Sequence, residues 1–165
     1  MNSVKAGATQ IEVRISEQDI GIEFSISDNG CGMSKAQVAE IMAVTLSDGK
    51  VKGIGLPLLK RSVTECNGNL TIDSSVGQGT TISALFRHTS NRSEWFNDLS
   101  TTLMQIISGN PDIEVTLRLV GIDSELCIST SEFKSAADGI PISQPHVAKL
   151  IKEVLDQQIN KIFAH

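Results

Sequence analysis

Apolar and polar residues alternate in two short segments near the start of the chain. In the first segment Ile11, Val13 and Ile15 share one side, and Glu12 and Arg14 take the other. The second segment repeats this period of two with the apolar residues Ile20, Ile22, Phe24 and Ile26. Successive side chains of a strand point to opposite sides of its sheet, so a period of two is typical of a strand with one buried face. We therefore predict two β-strands, joined as a hairpin across a short polar turn.

The spacing of the apolar residues then changes to that of helices. Ser34 is expected to cap a helix whose apolar residues lie on one side. A second helix is predicted over residues 56–66, with Gly68 as its C-terminal cap. Two more strands are expected on either side of a glycine turn at residues 77–79. The first half of the chain is thus predicted to form a sheet packed against helices.

The second half of the chain also carries regular patterns. A helix is expected to end before Pro111, because proline cannot extend it. Strands are predicted over residues 113–120 and 125–130, and an amphipathic helix over residues 145–163. The apolar side of this last helix is predicted to consist of Val147, Leu150, Ile151, Val154, Leu155 and Ile159.

Composition and charge exclude several classes of protein. The chain has 165 residues, 40% of them hydrophobic and 20% charged, which suits a folded protein with a buried core. Acidic residues outnumber Lys and Arg by 19 to 14, giving a net charge of −5 and no basic stripe for nucleic acid. The 3 cysteines show no zinc-binding or disulfide spacing. No apolar run is long enough to cross a membrane. We predict a cytoplasmic protein that binds neither nucleic acid nor membrane.

Asp28 is the first candidate for a binding role. It ends the second predicted strand on the same side as the apolar residues of that strand, so its carboxylate is predicted to face the core. A buried, unpaired carboxylate is costly, and a ligand that donates hydrogen bonds is one remedy. The amino group of adenine is such a donor. The glycines in residues 28–33 (D-N-G-C-G-M) remove side chains where a flat base would approach the backbone. The alternative is a strand that simply ends in an Asn-Gly turn.

A glycine-rich loop, G-I-G-L at residues 53–56, leads into the second predicted helix. The N-terminus of a helix offers free N–H groups and a positive dipole end to an anion. Lys50 and Lys52 lie just before this loop and are expected to neutralise phosphate charge. The Gly-x-Gly pattern is common, and loop lysines often simply face solvent, so an ordinary surface loop is the alternative.

Four segments in this order resemble the ATP-binding core of the GHKL superfamily. This superfamily is named for gyrase, the ninety-kilodalton heat-shock chaperone, histidine kinases and mismatch-repair proteins. Residues 2–8 (N-S-V-K-A-G-A) resemble its N box, and residues 28–33 its first glycine box. Residues 53–56 resemble the second glycine box, and residues 68–80 the closing strand, turn and strand. The resemblance covers about half of the chain.

This resemblance implies a fold. The fold is of the α+β class, a two-layer α/β sandwich in which helices cover a mixed β-sheet, known as the Bergerat-type histidine kinase-like ATPase fold. We predict that residues 1–88 form this ATP-binding domain without its usual first helix. Residues 89–165 are predicted to form a C-terminal helix-strand-strand-helix appendix.

The resemblance also implies ATP and Mg²⁺ as cofactors and assigns residues to them. By this resemblance Asp28 would accept the proton of the adenine amino group, with Thr80 as a second partner. Asn2 would coordinate Mg²⁺, a hard cation that suits one protein oxygen and several waters. The remaining residues implied in nucleotide binding are Gly30, Gly32, Met33, Lys50, Lys52, Gly53, Gly55 and Leu56.

The N box departs from the family pattern. It normally lies in a helix that starts well before the metal-binding Asn, whereas Asn2 directly follows Met1. Hydrolysing relatives carry a general-base Glu about one helical turn upstream, so no catalytic residue is predicted here. We expect Met1 to be an internal methionine of a longer parent chain. His88, His146 and His165 lack the acidic neighbour of a phosphorylated histidine, so self-phosphorylation is not expected.

Three functions stay open at this point. The first is an ATP- and Mg²⁺-binding, kinase-like module that acts on or signals to a separate, unidentified protein. The second is a non-catalytic binding module, similar to anti-sigma-factor relatives, that uses ATP as a structural ligand. The third is a folded relative that has lost nucleotide binding. A homodimer is compatible with each of them.

Overall fold

The chain is represented by a computed structural model that describes residues 2–44, 55–87 and 99–163. These residues form both helices and strands. In chain order the elements are α1 (Asn2–Lys5), β1 (Gln10–Gln18), β2 (Gly21–Asp28), α2 (Lys35–Ala43), α3 (Gly55–Glu65), β3 (Asn69–Ser75), β4 (Gly79–Arg87), α4 (Leu99–Gly109), β5 (Glu114–Val120), β6 (Glu125–Ser129), α5 (Thr130–Ala136) and α6 (Pro145–Phe163).

The strands form a six-stranded mixed sheet in the order β3-β4-β2-β1-β5-β6. The central strand β1 pairs antiparallel with β2 and parallel with β5. The other neighbouring strands are antiparallel. A mixed sheet with helices confirms the predicted α+β class. Strands β1 to β4 come from the predicted ATP-binding domain and β5 and β6 from the predicted appendix, so both segments contribute to one sheet. The domain boundary after residue 88 stays a prediction.

The two faces of the sheet carry different residues. On one face, Ile15 of β1 is in register with Phe24 of β2 and with Leu119 of β5. Ile15 and Leu119 are 0% exposed. The opposite face carries polar residues, such as Arg14 in register with Ser25. This difference is expected when helices cover only one face of a sheet. We call the apolar face the helix side and the opposite face the polar side.

A large apolar cluster lies on the helix side under two helices of the second half. Isoleucine, leucine and valine side chains of β1 and β5 form its base. Helices α4 and α6 contribute the buried residues Leu103, Met104, Ile107, Val147, Ile151, Leu155, Ile159 and Ile162. Complete burial of one such side chain contributes about 1.5–3 kcal/mol, so this cluster is a major source of stability. We call it the sealed cluster.

A smaller apolar cluster lies on the helix side under α3. It consists of Val63 of α3 with Ala84 and Phe86 of β4. Phe24 packs against both clusters, and its ring meets that of Phe86 edge-on with centroids 5.7 Å apart. Edge-to-face contact is a favoured aromatic geometry. The two clusters are therefore joined through one aromatic pair.

The end of α3 differs from the prediction. Asn67, with a φ of 50°, takes the left-handed conformation instead of Gly68. The N–H of Gly68 donates to Val63 (2.8 Å) and that of Asn67 to Thr64 (3.0 Å), which is the Schellman pattern. Gly68 is needed for a different reason, because a Cβ there would collide with the carbonyl oxygen of Leu85. The predicted cap is therefore wrong by one residue.

The apolar stripe of α6 is narrower than predicted. Leu150 and Val154 are 60% and 41% exposed, so their assignment to the buried side is wrong. The buried stripe instead follows spacings of three and four residues, as in Ile151, Leu155 and Ile159. No helix within residues 2–44, 55–87 and 99–163 combines the length and apolarity needed to cross a membrane.

Helix α5 is absent from the sequence prediction. It begins with a capping box in which the Ser129 hydroxyl accepts from the N–H of Glu132. In return, the Glu132 carboxylate accepts from the N–H of Ser129. The first residue of the helix, Thr130, donates to Glu114 at the start of β5 at 2.8 Å. This short helix is therefore fixed by its polar residues, which an apolar pattern does not reveal.

Candidate functional site

Three polar side chains lie in a row across neighbouring strands on the helix side of the sheet. Asp28, the last residue of β2, is in register with Thr80 of β4, and Thr80 is in register with Ser74 of β3. All three residues are partly buried. On its other side Asp28 is opposite the buried Ile11 of β1. The alternation along β2 thus brings the carboxylate to the helix side, as predicted. We call these three residues the polar row.

The carboxylate of Asp28 is held by the turn that follows it. Its Oδ1 accepts a hydrogen bond from the backbone N–H of Gly30 at 3.0 Å. A carboxylate has room for several such bonds, so Asp28 can accept further protons from a ligand. The turn therefore orients the carboxylate and leaves acceptor capacity at the end of the strand.

Asn29 anchors the same turn to the start of β1. Its Oδ1 accepts from the N–H groups of Thr9 (2.9 Å) and Gln10 (3.0 Å). Its Nδ2 donates to the hydroxyl of Thr9 at 2.9 Å. Asn29 was not among the predicted site residues, although asparagine in a strand-ending turn commonly bonds nearby backbone groups. This anchoring fixes the position from which Asp28 emerges.

The glycines of this site are required by contacts within the protein. A Cβ at Gly30 would lie 2.8 Å from the Cβ of Ala6 and 3.1 Å from Oδ1 of Asp28. Gly32 and Gly79 have φ angles of 63° and 89°. Side chains there would collide with the carbonyl oxygens of Ser75 and Asp28, respectively. Close approach of the protein's own backbone thus explains these glycines without a ligand. The contact of Gly30 and Gly32 with a base stays a prediction.

Ser74 ties the glycine-rich turn to the β3–β4 hairpin. Its hydroxyl accepts from the N–H of Met33 at 2.9 Å and lies 2.8 Å from the hydroxyl of Thr80. It also donates to the carbonyl oxygen of Gly79 at 2.9 Å. Ser74 was not among the predicted site residues. Its strand parity could have revealed it, because it falls opposite Thr80 across a turn recognisable from Gly77 and Gly79.

An open apolar surface lies beside the polar row. Ile26 precedes Asp28 by two residues on the helix side of an inner strand, yet it is 41% exposed. Its neighbour Ile82 on β4 and the next residue across, Ile72 on β3, are only partly buried. An apolar surface with a few polar groups at its edge is typical of a site for a flat, partly polar ligand. The exposure of Ile26 marks a place that the helices within the described ranges leave uncovered.

The predicted binding residues fall into three groups. Asp28, Gly30, Gly32, Met33 and Thr80 come together around the polar row and its turn. A second group, Gly55 and Leu56, begins α3, one residue earlier than the predicted helix start. The third lies outside the described residues: Lys50, Lys52, Gly53 and the side chain of Asn2. Their roles in binding nucleotide stay predictions.

The first half of the chain matches a known protein family. Residues 1–90 match the family described as histidine kinase-, DNA gyrase B-, and HSP90-like ATPase. The matched segment covers more than half of the chain and includes the polar row. The chain therefore belongs to this family, which confirms the predicted GHKL resemblance.

Two curated proteins are similar to part of this chain. A probable C4-dicarboxylate sensor kinase of Bacillus subtilis (strain 168) is 29% identical over 86 residues, which is 51% of this chain and 16% of the relative. A putative sensor protein of Shewanella frigidimarina (strain NCIMB 400) is 35% identical over 66 residues, which is 38% of this chain and 10% of the relative. The chain thus spans only a small part of either relative.

Proposed function

We propose that this protein binds ATP together with Mg²⁺ at the polar row and acts on, or signals to, a separate protein. The observation that carries the proposal is the Asp28 carboxylate on the helix side of the sheet, next to the half-exposed Ile26. Membership of a nucleotide-binding ATPase family supports the same ligand.

The chemistry of the polar row fits an adenine base. Asp28 would accept one proton of the exocyclic amino group, and Thr80, in the next strand, lies in register as the second partner. The apolar surface around Ile26 would contact the face of the ring and exclude water from these hydrogen bonds. Polar groups then orient the base while apolar contact holds it.

The phosphates and the metal ion are assigned to other residues. Gly55 and Leu56 begin α3, whose free N–H groups suit an anion, and Lys50, Lys52 and Gly53 precede them in the chain. No group of three or more His, Cys, Asp or Glu side chains within the described ranges is arranged to hold a metal ion. Mg²⁺ commonly keeps several waters and substrate phosphates as ligands, so the amide oxygen of Asn2 would be a sufficient protein ligand. Bound Mg²⁺ would neutralise phosphate charge.

The signalling part of the proposal rests on the names of the relatives. Both are described as sensor proteins, one of them as a kinase. His146 is exposed on α6, whereas the polar row lies on β2, β3 and β4. We infer a separate protein as the target, in the cytoplasm. A homodimer remains a further prediction.

Thermal unfolding with and without Mg²⁺ and ATP tests the nucleotide site. A ligand at one hundred times its dissociation constant stabilises the folded state by about 2.7 kcal/mol. The Asp28→Asn variant should lose this stabilisation, because the amide places a donor against the amino group of adenine. Asp73→Asn is the matched control, since Asp73 is an exposed acid on β3 opposite Thr81, on the polar side.

The thermal unfolding experiment has two distinguishable outcomes. The proposal predicts stabilisation of the parent and of Asp73→Asn, and little or none for Asp28→Asn. Equal stabilisation of the parent and Asp28→Asn would show that the base binds elsewhere. Incubation with ATP labelled on its γ-phosphate then asks whether a phosphoryl group is released or transferred, and a stable, unconsumed complex would favour ATP as a structural ligand.

A further inference from the structure

The hydroxyl of Ser74 uses its whole hydrogen-bonding capacity inside the protein. It accepts from the N–H of Met33 and donates to the carbonyl oxygen of Gly79, each at 2.9 Å. Its third contact is with the hydroxyl of Thr80 at 2.8 Å. A hydroxyl group has one proton and two acceptor positions, and these three contacts fill them.

The proton between Ser74 and Thr80 can be assigned by counting. A backbone N–H only donates and a carbonyl oxygen only accepts. The single proton of Ser74 is directed to Gly79, so it is not available to Thr80. Thr80 is therefore the donor between the two hydroxyls. Its own proton is used in this bond, and only its lone pairs remain for a ligand.

Asp28 presents the same hydrogen-bond polarity as Thr80. An ionised carboxylate only accepts, and Oδ1 of Asp28 already accepts from Gly30. Because Asp28 and Thr80 are in register on adjacent strands, two acceptors lie side by side. An amino group supplies protons to such a pair. A carbonyl oxygen in its place would meet acceptors only and would be left unpaired.

The geometry points to Ser74 as a positioning residue that sets the purine specificity of the site. By holding Thr80 as an acceptor, Ser74 makes the site select a 6-amino purine over a 6-oxo purine. This inference rests on the proposed function, since it requires a nucleotide base at the polar row. Ser74 acts through Thr80 and not on the base itself.

The test is a comparison of two nucleotides that differ at this one position of the base. Equilibrium binding of Mg²⁺-ATP and Mg²⁺-ITP is measured by calorimetry for the parent and for Ser74→Ala. The substitution frees the proton of Thr80, so its hydroxyl can turn and donate to a 6-oxo group. The ratio of ATP affinity to ITP affinity should fall about tenfold or more. Ser75→Ala, the next residue of β3 but on the polar side, should keep the ratio of the parent.

A second set of variants separates specificity from simple loosening of the site. Loss of the Met33 contact alone would weaken ATP and ITP equally and leave their ratio unchanged. Thr80→Val should lower the ratio, and adding Ser74→Ala to it should change the ratio no further, because the two residues act in series. Ser74→Thr, which keeps a hydroxyl, should restore the selectivity lost in Ser74→Ala.

Failure of this inference differs from failure of the proposed function. A parent that prefers ATP, together with a Ser74→Ala variant that keeps the same preference, overturns the role of Ser74 and leaves ATP binding intact. A parent that binds neither nucleotide removes the proposed function and this inference with it.

Discussion

Two regions of the helix side differ in how completely the helices cover the sheet. Over β1 and β5, α4 and α6 pack onto the sheet and form the sealed cluster, in which Leu103 and Leu155 are buried. Over β3, β4 and the end of β2 that carries Asp28, the described residues bury a smaller cluster around Val63, and Ile26 is left half-exposed. We call the second area the open region. Both regions have strands of the same alternating pattern, so the covering helices and not the strands make the difference.

This contrast assigns stability and binding to different parts of one sheet. Most of the buried apolar side chains among the described residues belong to the sealed cluster, whereas the open region places polar groups beside exposed apolar side chains. Binding sites commonly lie in the less stable parts of a protein. A ligand can supply contacts there that the chain itself does not make. Substitutions in the two regions should therefore have separable effects.

The largest effect is expected in the sealed cluster. Leu155→Ala removes a side chain that is 1% exposed and should lower the free energy of unfolding by about 3 kcal/mol. Leu150→Ala, on the same helix but 60% exposed, should change it by less than about 0.5 kcal/mol. Urea denaturation measures both. Equal losses in the two variants would contradict the assignment of the buried stripe of α6.

A smaller effect is expected for the cluster under α3. Val63→Ala removes two methyl groups from a buried position and should cost about 2 kcal/mol. Val76→Ala, in the exposed β3–β4 turn, is the matched control and should be near neutral. The same denaturation experiment applies. A loss at Val63 larger than that at Leu155 would reverse the ranking of the two regions.

Helix α2 has no fully buried residues, so local contacts should contribute much of its stability. The hydroxyl of Ser34 accepts from the N–H of Gln37 in a capping box. Ser34→Ala should destabilise the helix by about 1 kcal/mol. Hydrogen exchange of the α2 amides should accelerate accordingly. In contrast, Ser62→Ala, on the exposed surface of α3, should leave exchange in α2 unchanged.

The smallest effect concerns acid stability in the second half of the chain. Partial burial of the Glu114 carboxylate acts to raise its pKa, whereas hydrogen bonds from Ser131 and Thr130 act to lower it. Together with the charge of Lys134 they hold the pKa of Glu114 below its ordinary value of 4.5. A lowered folded-state pKa stabilises the protein above the unfolded-state value, and that stabilisation is lost as pH falls through the folded-state pKa.

The free energy of unfolding is measured from neutral pH to below pH 4.5. It should fall more steeply in the parent than in Glu114→Gln. At neutral pH the variant should lose less than about 1 kcal/mol, because the carboxylate is partly exposed and screened by solvent. Glu40→Gln, an exposed carboxylate on α2, should follow the parent curve. Identical curves for the parent and Glu114→Gln would remove Glu114 as a source of acid sensitivity.

The fold was predictable where local pattern determines structure. The period of two placed β1 and β2 and brought Asp28 to the correct side, and the turn at residues 77–79 placed the hairpin of β3 and β4. The parallel pairing of β1 with β5 was not predictable, because no local pattern tells a strand which distant strand it will join. Helix α5 was not predicted, because a capping box of hydroxyl and carboxylate groups fixes its start and the prediction relied on apolar patterns.

The candidate site was predictable in outline but not in its connections. Asp28 followed from the strand alternation and Thr80 from the family resemblance, and the register now places them side by side. Strand parity could have placed Ser74 opposite Thr80, but the hydrogen bonds of Ser74 to Met33 and of Asn29 to Thr9 join residues that are far apart in the chain. Such partners become visible only when the strand register is known.

Chemical-shift mapping of the backbone amides during titration with Mg²⁺-ATP tests the central contrast most directly. If the open region binds the base, the largest shifts should occur in residues 28–33 and 74–82, and residues of the sealed cluster, such as Leu117 and Leu155, should change little. Absence of shifts at saturating nucleotide, or shifts concentrated in α4 and α6, would contradict the account.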